Sequence, residues 1–236
     1  MNQALIFDYG GTLDTDGRHW AHVLWEGYCQ AEIPVTNAQF RDAYVFGERA
    51  LAKAPIVQPE DTFRDVLEKK VEQQFAYLNA ENIWTETPDI SARKRQAVVD
   101  YCHDYALRHI TVAREVLAAL RPKYRMVLVS NFYGNIEAIL RHYGLAEYFD
   151  AVIESAVVGV RKPDPQIYRL GVEATGCEAK DVTVIGDSYS KDIVPATQVG
   201  CRTIWIRGEG WSGEDAGDGA THEITTLRDV LKYLPT

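Results

Sequence analysis

Two acidic residues each follow a short apolar segment that is typical of a buried strand. Asp8 comes directly after residues 3–7, and Asp187 comes directly after residues 182–186. Open α/β sheets bind their ligands at the carboxyl ends of parallel strands, where a carboxylate can act as a nucleophile or hold a divalent cation. A glycine pair soon after Asp8 would let the backbone come close to such a ligand. The alternative is a tight turn that Asp8 merely caps.

Four other polar residues lie where they can join this site. Ser130 and Asn131 stand at the end of another apolar segment, Lys162 lies in a loop held by two prolines, and Asp192 begins a helix after Asp187. Hydroxyl, amide and ammonium groups suit an anion such as phosphate, and the carboxylates suit Mg²⁺. Taken singly, these residues are also explained as helix caps, a solvated lysine and a charge on a helix dipole. Their order at strand ends and in the adjoining loop favours one common site.

The elements that would position these residues alternate between strands and helices. Apolar segments predict strands at 3–7, 124–130, 182–186 and 202–206. Helical spacing between them, and in a last segment over 227–234, predicts an α/β fold with a parallel sheet covered by helices on both faces. Residues 15–110 carry helical stripes and no strand-like segment. We therefore predict a core of residues 1–14 and 111–236 with an all-helical insertion over 15–110.

Composition narrows the class of protein. The 236 residues are 46% apolar and 25% charged, which is typical of globular proteins and not of disordered or fibrous ones. The 25 Lys and Arg against 34 Asp and Glu give a net charge of −9, which disfavours nucleic acid as a partner. No segment suggests a membrane span or a secretory signal. The four cysteines are far apart, so we expect reduced thiols in a cytoplasmic protein, with the oligomeric state open.

The order of the polar segments resembles the haloacid dehalogenase superfamily of hydrolases over nearly the whole chain. Its four motifs match here at Asp8 with Gly11 and Thr12, at Ser130, at Lys162, and at Gly186-Asp187 with Asp192. The resemblance implies a Rossmann-like core and a helical cap that closes over the active site. It also implies Mg²⁺-dependent hydrolysis of a small phosphorylated substrate.

The same resemblance implies a role for each matched residue. Asp8 would attack phosphorus and form an aspartyl-phosphate, and Lys162 would act with it as a catalytic residue by holding the transferring group. The implied phosphate-binding residues are Gly11, Thr12, Ser130, Asn131 and Lys162. The implied Mg²⁺ site comprises Asp8, the carbonyl of Gly10, Asp187 and, in support, Asp192.

One position departs from the superfamily pattern. Its phosphatases usually carry a second Asp two residues after the nucleophile, as general acid and then base, and this chain has Gly10 there. Losing such a group costs about 10²–10⁴ in rate. Asp14 is near in sequence, but relatives often have Asp at that place too, so we do not expect it to replace the missing acid. A phosphohydrolase for good leaving groups, or one with an acid from elsewhere, is the first prediction.

Three alternatives stay open at the level of sequence. Dehalogenases of the superfamily lack the second Asp, but they also lose the Gly-Asp pair that is intact here at Gly186-Asp187. Phosphonate-cleaving relatives have a small residue at the place of Gly10 and use a cap lysine as a Schiff base, for which Lys53, Lys69 and Lys70 are candidates. The third alternative is a protein that binds a ligand or partner without turnover.

The insertion and the loop after the last predicted strand hold weaker candidates. Arg18 and Arg49 could grip a substrate carboxylate or second phosphate, and His19 and His22 could face the cleft. Surface positions on the insertion explain all four more simply. The glycine-rich loop around Trp211 is expected at the surface, bordering the site.

Overall fold

The strands of the protein form one parallel sheet. The computed structural model describes residues 3–53, 55–210 and 217–234. The strands within these ranges are β1 (Ala4–Phe7), β2 (Arg125–Ser130), β3 (Ala151–Glu154), β4 (Val182–Gly186), β5 (Arg202–Ile206) and β6 (His222–Ile224). Their order across the sheet is β3-β2-β1-β4-β5-β6, and every neighbouring pair is parallel. The predicted α/β fold class is confirmed.

Helices connect the strands and fill one long insertion. They are α1 (Trp20–Gln30), α2 (Asn37–Lys53), α3 (Phe63–Ala80), α4 (Pro88–Leu120), α5 (Ile136–His142), α6 (Ser155–Val158), α7 (Gln166–Thr175) and α8 (Val194–Val199). Local sequence explains two of their starts. Thr62 and Asp65 form a capping box before α3, and Pro88 occupies the first turn of α4, where its missing N–H is not needed.

Helices cover both faces of the sheet because the strands are apolar on both sides. On one face Leu5 and Phe7 join the larger core, which includes residues of α1, α3, α4 and α5. On the other face Ala4 and Ile6 join a smaller core with Ile167 of α7. A strand buried on both faces is held firmly, so the residue that follows β1 starts from a fixed position.

Among the residues that the structure describes between β1 and β2 there are four helices, α1 to α4, which we call the insertion helices. α2 packs on α3, and α4 packs on both α1 and α3. α4 runs without a break through the predicted boundary at residue 110, and it also contacts the 3₁₀ helix at Leu227–Lys232. One helix therefore belongs to both predicted parts, and the division into core and insertion stays a prediction.

Sequence patterns missed two strands and misread one terminal segment. β3 and β6 form the two edges of the sheet, and most of their residues are half-buried or exposed, whereas all four residues of the equally short β1 are buried. The helix predicted over 227–234 is the 3₁₀ helix Leu227–Lys232. Trp211, around which a surface loop bordering the site is predicted, lies outside the described residues. Among the residues described, none of the helices has the length and apolar character to span a membrane.

Candidate active site

The strand register brings three residues to one edge of the sheet. β1 lies between β2 and β4, and its last residue, Phe7, pairs with residues of both. Asp8, Ser130 and Asp187 end or follow these three strands on the same side. Asp8 and Ser130 are both buried. Residues far apart in sequence therefore meet at the carboxyl ends of the central strands, with Asp8 in the middle.

Lys162 lies against two carboxylates at this edge. Its Nζ donates to Asp8 Oδ1 at 2.5 Å and to Asp192 Oδ1 at 2.7 Å. The lysine side chain is only 2% exposed, and a buried charge needs such partners. Burial alone would lower the pKa of Lys162, but Asp192 and Asp8 raise it, so the ammonium stays charged. A fixed positive charge beside Asp8 can stabilise negative charge on a reacting group.

Three carboxylates crowd around this lysine. Oxygens of Asp8, Asp187 and Asp192 lie within 4.8 Å of one another. Burial raises the pKa of Asp8 to about 6, against the opposing effect of Lys162. Burial and the charges of Asp8 and Asp192 raise the pKa of Asp187 well above its ordinary value. One ammonium does not balance three negative charges, so this set of hard oxygen donors fits a divalent cation such as Mg²⁺.

Gly11 is required by the close approach of Asp187. A Cβ on Gly11 would lie 2.2 Å from Asp187 Oδ2, and its φ of +96° is a conformation that favours glycine. The Gly11 N–H donates to Asp14 Oδ1 at 2.7 Å. Gly11 therefore gives the turn its shape, and its expected phosphate contact stays a prediction.

Thr12 connects two of the carboxylates. Its Oγ1 lies 3.2 Å from both Asp8 Oδ2 and Asp187 Oδ1. Its backbone N–H donates to the Tyr9 carbonyl at 3.2 Å. The hydroxyl contacts suit a role in orienting Asp8, and the expected phosphate contact of Thr12 stays a prediction.

Asn131 holds the loop of Lys162. Its Nδ2 donates to the Lys162 carbonyl at 3.1 Å, and its Oδ1 accepts from the Lys162 N–H at 2.9 Å. Both ends of the amide therefore bond to the main chain of one residue. Asn131 therefore fixes the backbone that carries the Lys162 ammonium, and its expected phosphate contact stays a prediction.

The place of the missing acid is empty of side chains. Gly10 is exposed, and a Cβ there would have no neighbouring heavy atom within 4 Å. Asp14 does not fill this place, because it is fully buried and its two oxygens accept from Gly11 N and from Trp20 Nε1, the latter at 2.9 Å. Burial raises the pKa of Asp14 to about 7. Asp14 therefore connects the turn after β1 to the first residue of α1. The role of the Gly10 carbonyl as a metal ligand stays a prediction.

The weaker candidates near the insertion helices are mostly engaged elsewhere. Arg18 forms an ion pair with Glu26 at 2.7 Å, and Arg49 is exposed. His22 Nε2 lies 2.9 Å from a backbone carbonyl. His19 caps α1 through Nδ1, and burial lowers its pKa to about 4. His19 is therefore uncharged near neutral pH and cannot serve as a proton donor there.

Two aromatic residues contribute contacts that the sequence patterns did not reveal. Tyr168 is fully buried, and its hydroxyl donates to Asp192 Oδ1 at 2.7 Å, the same oxygen that accepts from Lys162. Trp205 Nε1 donates to the Asp187 carbonyl at 2.7 Å. The polar atom of a buried Tyr or Trp usually finds a hydrogen-bond partner, and this tendency was the available signal for both residues.

Comparison with known proteins shows the family. The haloacid dehalogenase-like hydrolase family matches residues 3–200. A glyceraldehyde 3-phosphate phosphatase of Pyrococcus abyssi is 34% identical over 133 residues, 54% of this chain and 56% of that protein. An (S)-2-haloacid dehalogenase of Pseudomonas sp. is 29% identical over 153 residues, 63% of each chain. The chain thus spans less than two thirds of the length of these curated relatives.

A solved structure shows the same fold over the whole chain. The HAD-hydrolase YfnB from Bacillus subtilis, bound to magnesium, has a TM-score of 0.62 and 21% identity, over 100% of this chain and 99% of that one. The chain belongs to the haloacid dehalogenase-like hydrolase family, because the family match covers most of its length. The recognition made from the order of the motifs is confirmed. Relatives act on phosphates and on haloacids, so the reaction must be argued from the site.

Proposed function

We propose that this hydrolase is a Mg²⁺-dependent phosphohydrolase that acts on a small phosphorylated metabolite through Asp8. The observation that carries the proposal is the cluster of three carboxylates around one buried lysine. Such a cluster calls for a divalent cation, and phosphoryl transfer depends mainly on positioning and charge neutralisation. The phosphatase from Pyrococcus abyssi supports the same class of reaction.

Each side chain of the site has a distinct part in this proposal. Lys162 and Thr12 orient the two oxygens of Asp8, which attacks phosphorus and forms an aspartyl-phosphate as the bond from phosphorus to the leaving-group oxygen breaks. The Lys162 ammonium and the Ser130 hydroxyl bind the transferring phosphoryl oxygens. Asp192 fixes the lysine by accepting its second hydrogen bond. Water then releases phosphate from Asp8 and restores the free carboxylate.

The residues that would hold Mg²⁺ are those of the acidic cluster. Asp8 and Asp187 supply carboxylate oxygens, the Gly10 carbonyl adds a third ligand, and Asp192 supports them. When bound, the ion neutralises charge on the phosphoryl group and on the nucleophile. The chain's own contribution is to keep the acidic oxygens together, which Lys162 does by pairing with Asp8 and Asp192.

The leaving group sets a limit on the substrate. No side chain stands at Gly10, and both oxygens of Asp14 are engaged. A leaving group that departs without a proton must be stable as an anion, so we expect aryl, enol or acyl phosphates in preference to simple alkyl phosphates. Cleavage of a haloacid also needs no proton donor. That reaction does not explain, however, why three carboxylates lie together in an arrangement that fits a divalent cation.

The contacts of the lysines in the insertion helices argue against carbon–phosphorus cleavage. A Schiff base requires an uncharged amine. Burial alone would lower the pKa of Lys70, but Glu48, 2.6 Å away, raises it above its ordinary value. Lys69 is paired with Asp61, and Lys53 is exposed at the end of α2. Lys70 is therefore held as a charged ammonium, which cannot form a Schiff base.

Phosphate release from p-nitrophenyl phosphate tests the proposal. We expect turnover with Mg²⁺ that is lost with a chelator and lost in Asp8→Asn. Asp164→Asn is a matched control, because Asp164 is an exposed acid in the loop of Lys162 that accepts from Gln166 N at 2.9 Å. Equal turnover in Asp8→Asn and wild type would contradict the proposal. Binding of Mg²⁺ or phosphate without turnover would identify a binding protein instead.

The proposal includes the compartment and the partners. All four cysteines are free thiols, which suits a cytoplasmic protein. The net charge of −9 disfavours a nucleic-acid partner. A small phosphorylated substrate is the partner that the site supports, and the oligomeric state is left open.

A further inference from the structure

A charged cluster joins the insertion helices to the core. Lys70 Nζ of α3 lies 2.6 Å from Glu48 Oε1 of α2. Tyr133, in the loop after β2, donates its hydroxyl to Glu48 Oε2 at 2.7 Å, and the Lys70 Nζ lies 5.8 Å from the centre of the Tyr133 ring. We call Glu48, Lys70 and Tyr133 the bridge cluster. The Glu48 carboxylate thus pairs with the Lys70 ammonium and also accepts a hydrogen bond from the Tyr133 hydroxyl.

The bridge cluster lies beside the catalytic edge of the sheet. Tyr133 follows Ser130 by three residues, so their Cα atoms are within about 11 Å of each other. Phe132, between them, packs on the ring of Tyr9 at 5.8 Å, and Tyr9 directly follows Asp8. In the cluster, the carboxylate side chain is 32% exposed and the lysine side chain 11%. Glu48 is therefore partly open to solvent, in a cluster that the loop after β2 connects to the end of the strand that carries Ser130.

The bridge cluster is electrically neutral because Glu48 compensates Lys70. His19 adds no charge near neutral pH, since burial lowers its pKa to about 4. The charge of Lys191 also lowers the pKa of His19. Because Lys191 is exposed, solvent ions screen its charge. A carboxylate on the far end of a substrate would find the buried cation already paired and would meet a like charge on Glu48.

Building on the phosphohydrolase function proposed above, we propose that Glu48 is a specificity-determining residue that excludes substrates with a second anionic group. The substrate class is then a phosphate ester or anhydride whose other end is uncharged. Placing a like charge against a competitor is a general way to obtain specificity. A largely buried ion pair contributes little net stability, so its presence at a reactive edge is better explained by selection.

Competition against p-nitrophenyl phosphate tests this proposal. Glycerol 3-phosphate and 3-phosphoglycerate share a three-carbon skeleton and differ at one end, which is an alcohol or a carboxylate. Glu48→Gln keeps the shape and the acceptor for Tyr133 but leaves the Lys70 charge uncompensated. We expect wild type to bind glycerol 3-phosphate more tightly. In Glu48→Gln we expect at least about tenfold tighter binding of 3-phosphoglycerate and less than about twofold change for glycerol 3-phosphate.

Three variants show whether the gain comes from Lys70. Asp61→Asn removes a carboxylate from the adjacent lysine of the same helix, Lys69, and should leave the ratio of the two inhibition constants unchanged. Combining Glu48→Gln with Lys70→Gln should abolish the gain. Should Glu48→Gln not fold, Tyr133→Phe removes the hydrogen bond that holds the carboxylate on Lys70, and the ratio should shift about threefold in the same direction.

The outcomes separate this proposal from the proposed function. An equal change for both competitors in Glu48→Gln would overturn it, and so would a wild-type preference for 3-phosphoglycerate. If wild type does not hydrolyse p-nitrophenyl phosphate, the phosphohydrolase proposal fails. The same two dissociation constants, measured by calorimetry with Mg²⁺, then still decide whether Glu48 excludes the second anion.

Discussion

Gly10→Asp should supply the proton donor that the superfamily pattern places at this position. The backbone accepts a side chain there, because no heavy atom lies within 4 Å of the added Cβ and Gly10 lacks the positive φ of Gly11. The new carboxyl group would stand in the same turn as Asp8. Neighbouring carboxylates raise the pKa of such a group, which helps it hold a proton near neutral pH. Gly11 offers no such freedom, since its Cβ would lie 2.2 Å from Asp187.

The size of the gain should depend on the leaving group. A positioned general acid contributes about 10²–10⁴ in rate. We expect the lower end, about 10²-fold in kcat/KM for glycerol 3-phosphate, because the rest of the site is not built around the new residue. This gain corresponds to about 2.7 kcal/mol of activation free energy. p-Nitrophenolate departs without a proton, so hydrolysis of its phosphate should change less than about threefold.

The assay compares kcat/KM for both substrates with Mg²⁺ in wild type, Gly10→Asp and Gly10→Asn. Asn has nearly the same size as Asp but no acidic proton, so it separates acid catalysis from a change in shape. Thermal unfolding midpoints check that each variant keeps its fold. Equal gains for Asp and Asn, or equal gains on both substrates, would refute the reasoning.

Three further predictions concern single contacts. Tyr168→Phe removes one donor from Asp192 and should lower kcat about tenfold with little change in KM; unchanged steady-state kinetics would contradict its positioning role. Mg²⁺ at about 100 times its dissociation constant should stabilise wild type by about 2.7 kcal/mol in thermal unfolding, and Asp187→Asn should lose most of this gain. Burial raises the pKa of Asp14 from 3.8 to about 7, so the folded protein binds this proton more tightly, and the resulting stabilisation is complete below about pH 4 and lost as pH rises through 7. In denaturant titrations Asp14→Asn should remove up to about 4 kcal/mol of that pH dependence, and a profile parallel to wild type would contradict it.

The strand ends at the floor of the site can be predicted from sequence because buried parallel strands are continuous apolar segments. Such a segment before Asp8 and another before Asp187 place both carboxylates at one edge once the strands are parallel. The short edge strands β3 and β6 lack this signal. The boundary predicted at residue 110 falls inside α4. The last helical stripe of residues 15–110 and the first one after residue 110 predict two helices, but both belong to this one continuous helix.

Contacts across the insertion helices cannot be predicted in the same way. The pairing of Glu48 with Lys70 depends on how α2 and α3 are rotated about their axes, and that rotation is set by packing across the whole cluster. Asn131 shows the same limit within the core. Its position after β2 is evident from sequence, but the loop of Lys162 that engages its amide lies far along the chain.

Gly10 and Glu48 constrain the same part of the substrate. Without an acid at Gly10 the leaving group must be stable as an anion, and with Glu48 on Lys70 it must carry no further negative charge. If the two effects are independent, their free energies should add. On 3-phosphoglycerate, the combination of Gly10→Asp with Glu48→Gln should raise kcat/KM by about 10³-fold, the product of a gain of about 10² and one of about tenfold. A double variant no better than Gly10→Asp alone would show that Glu48 does not face the leaving group.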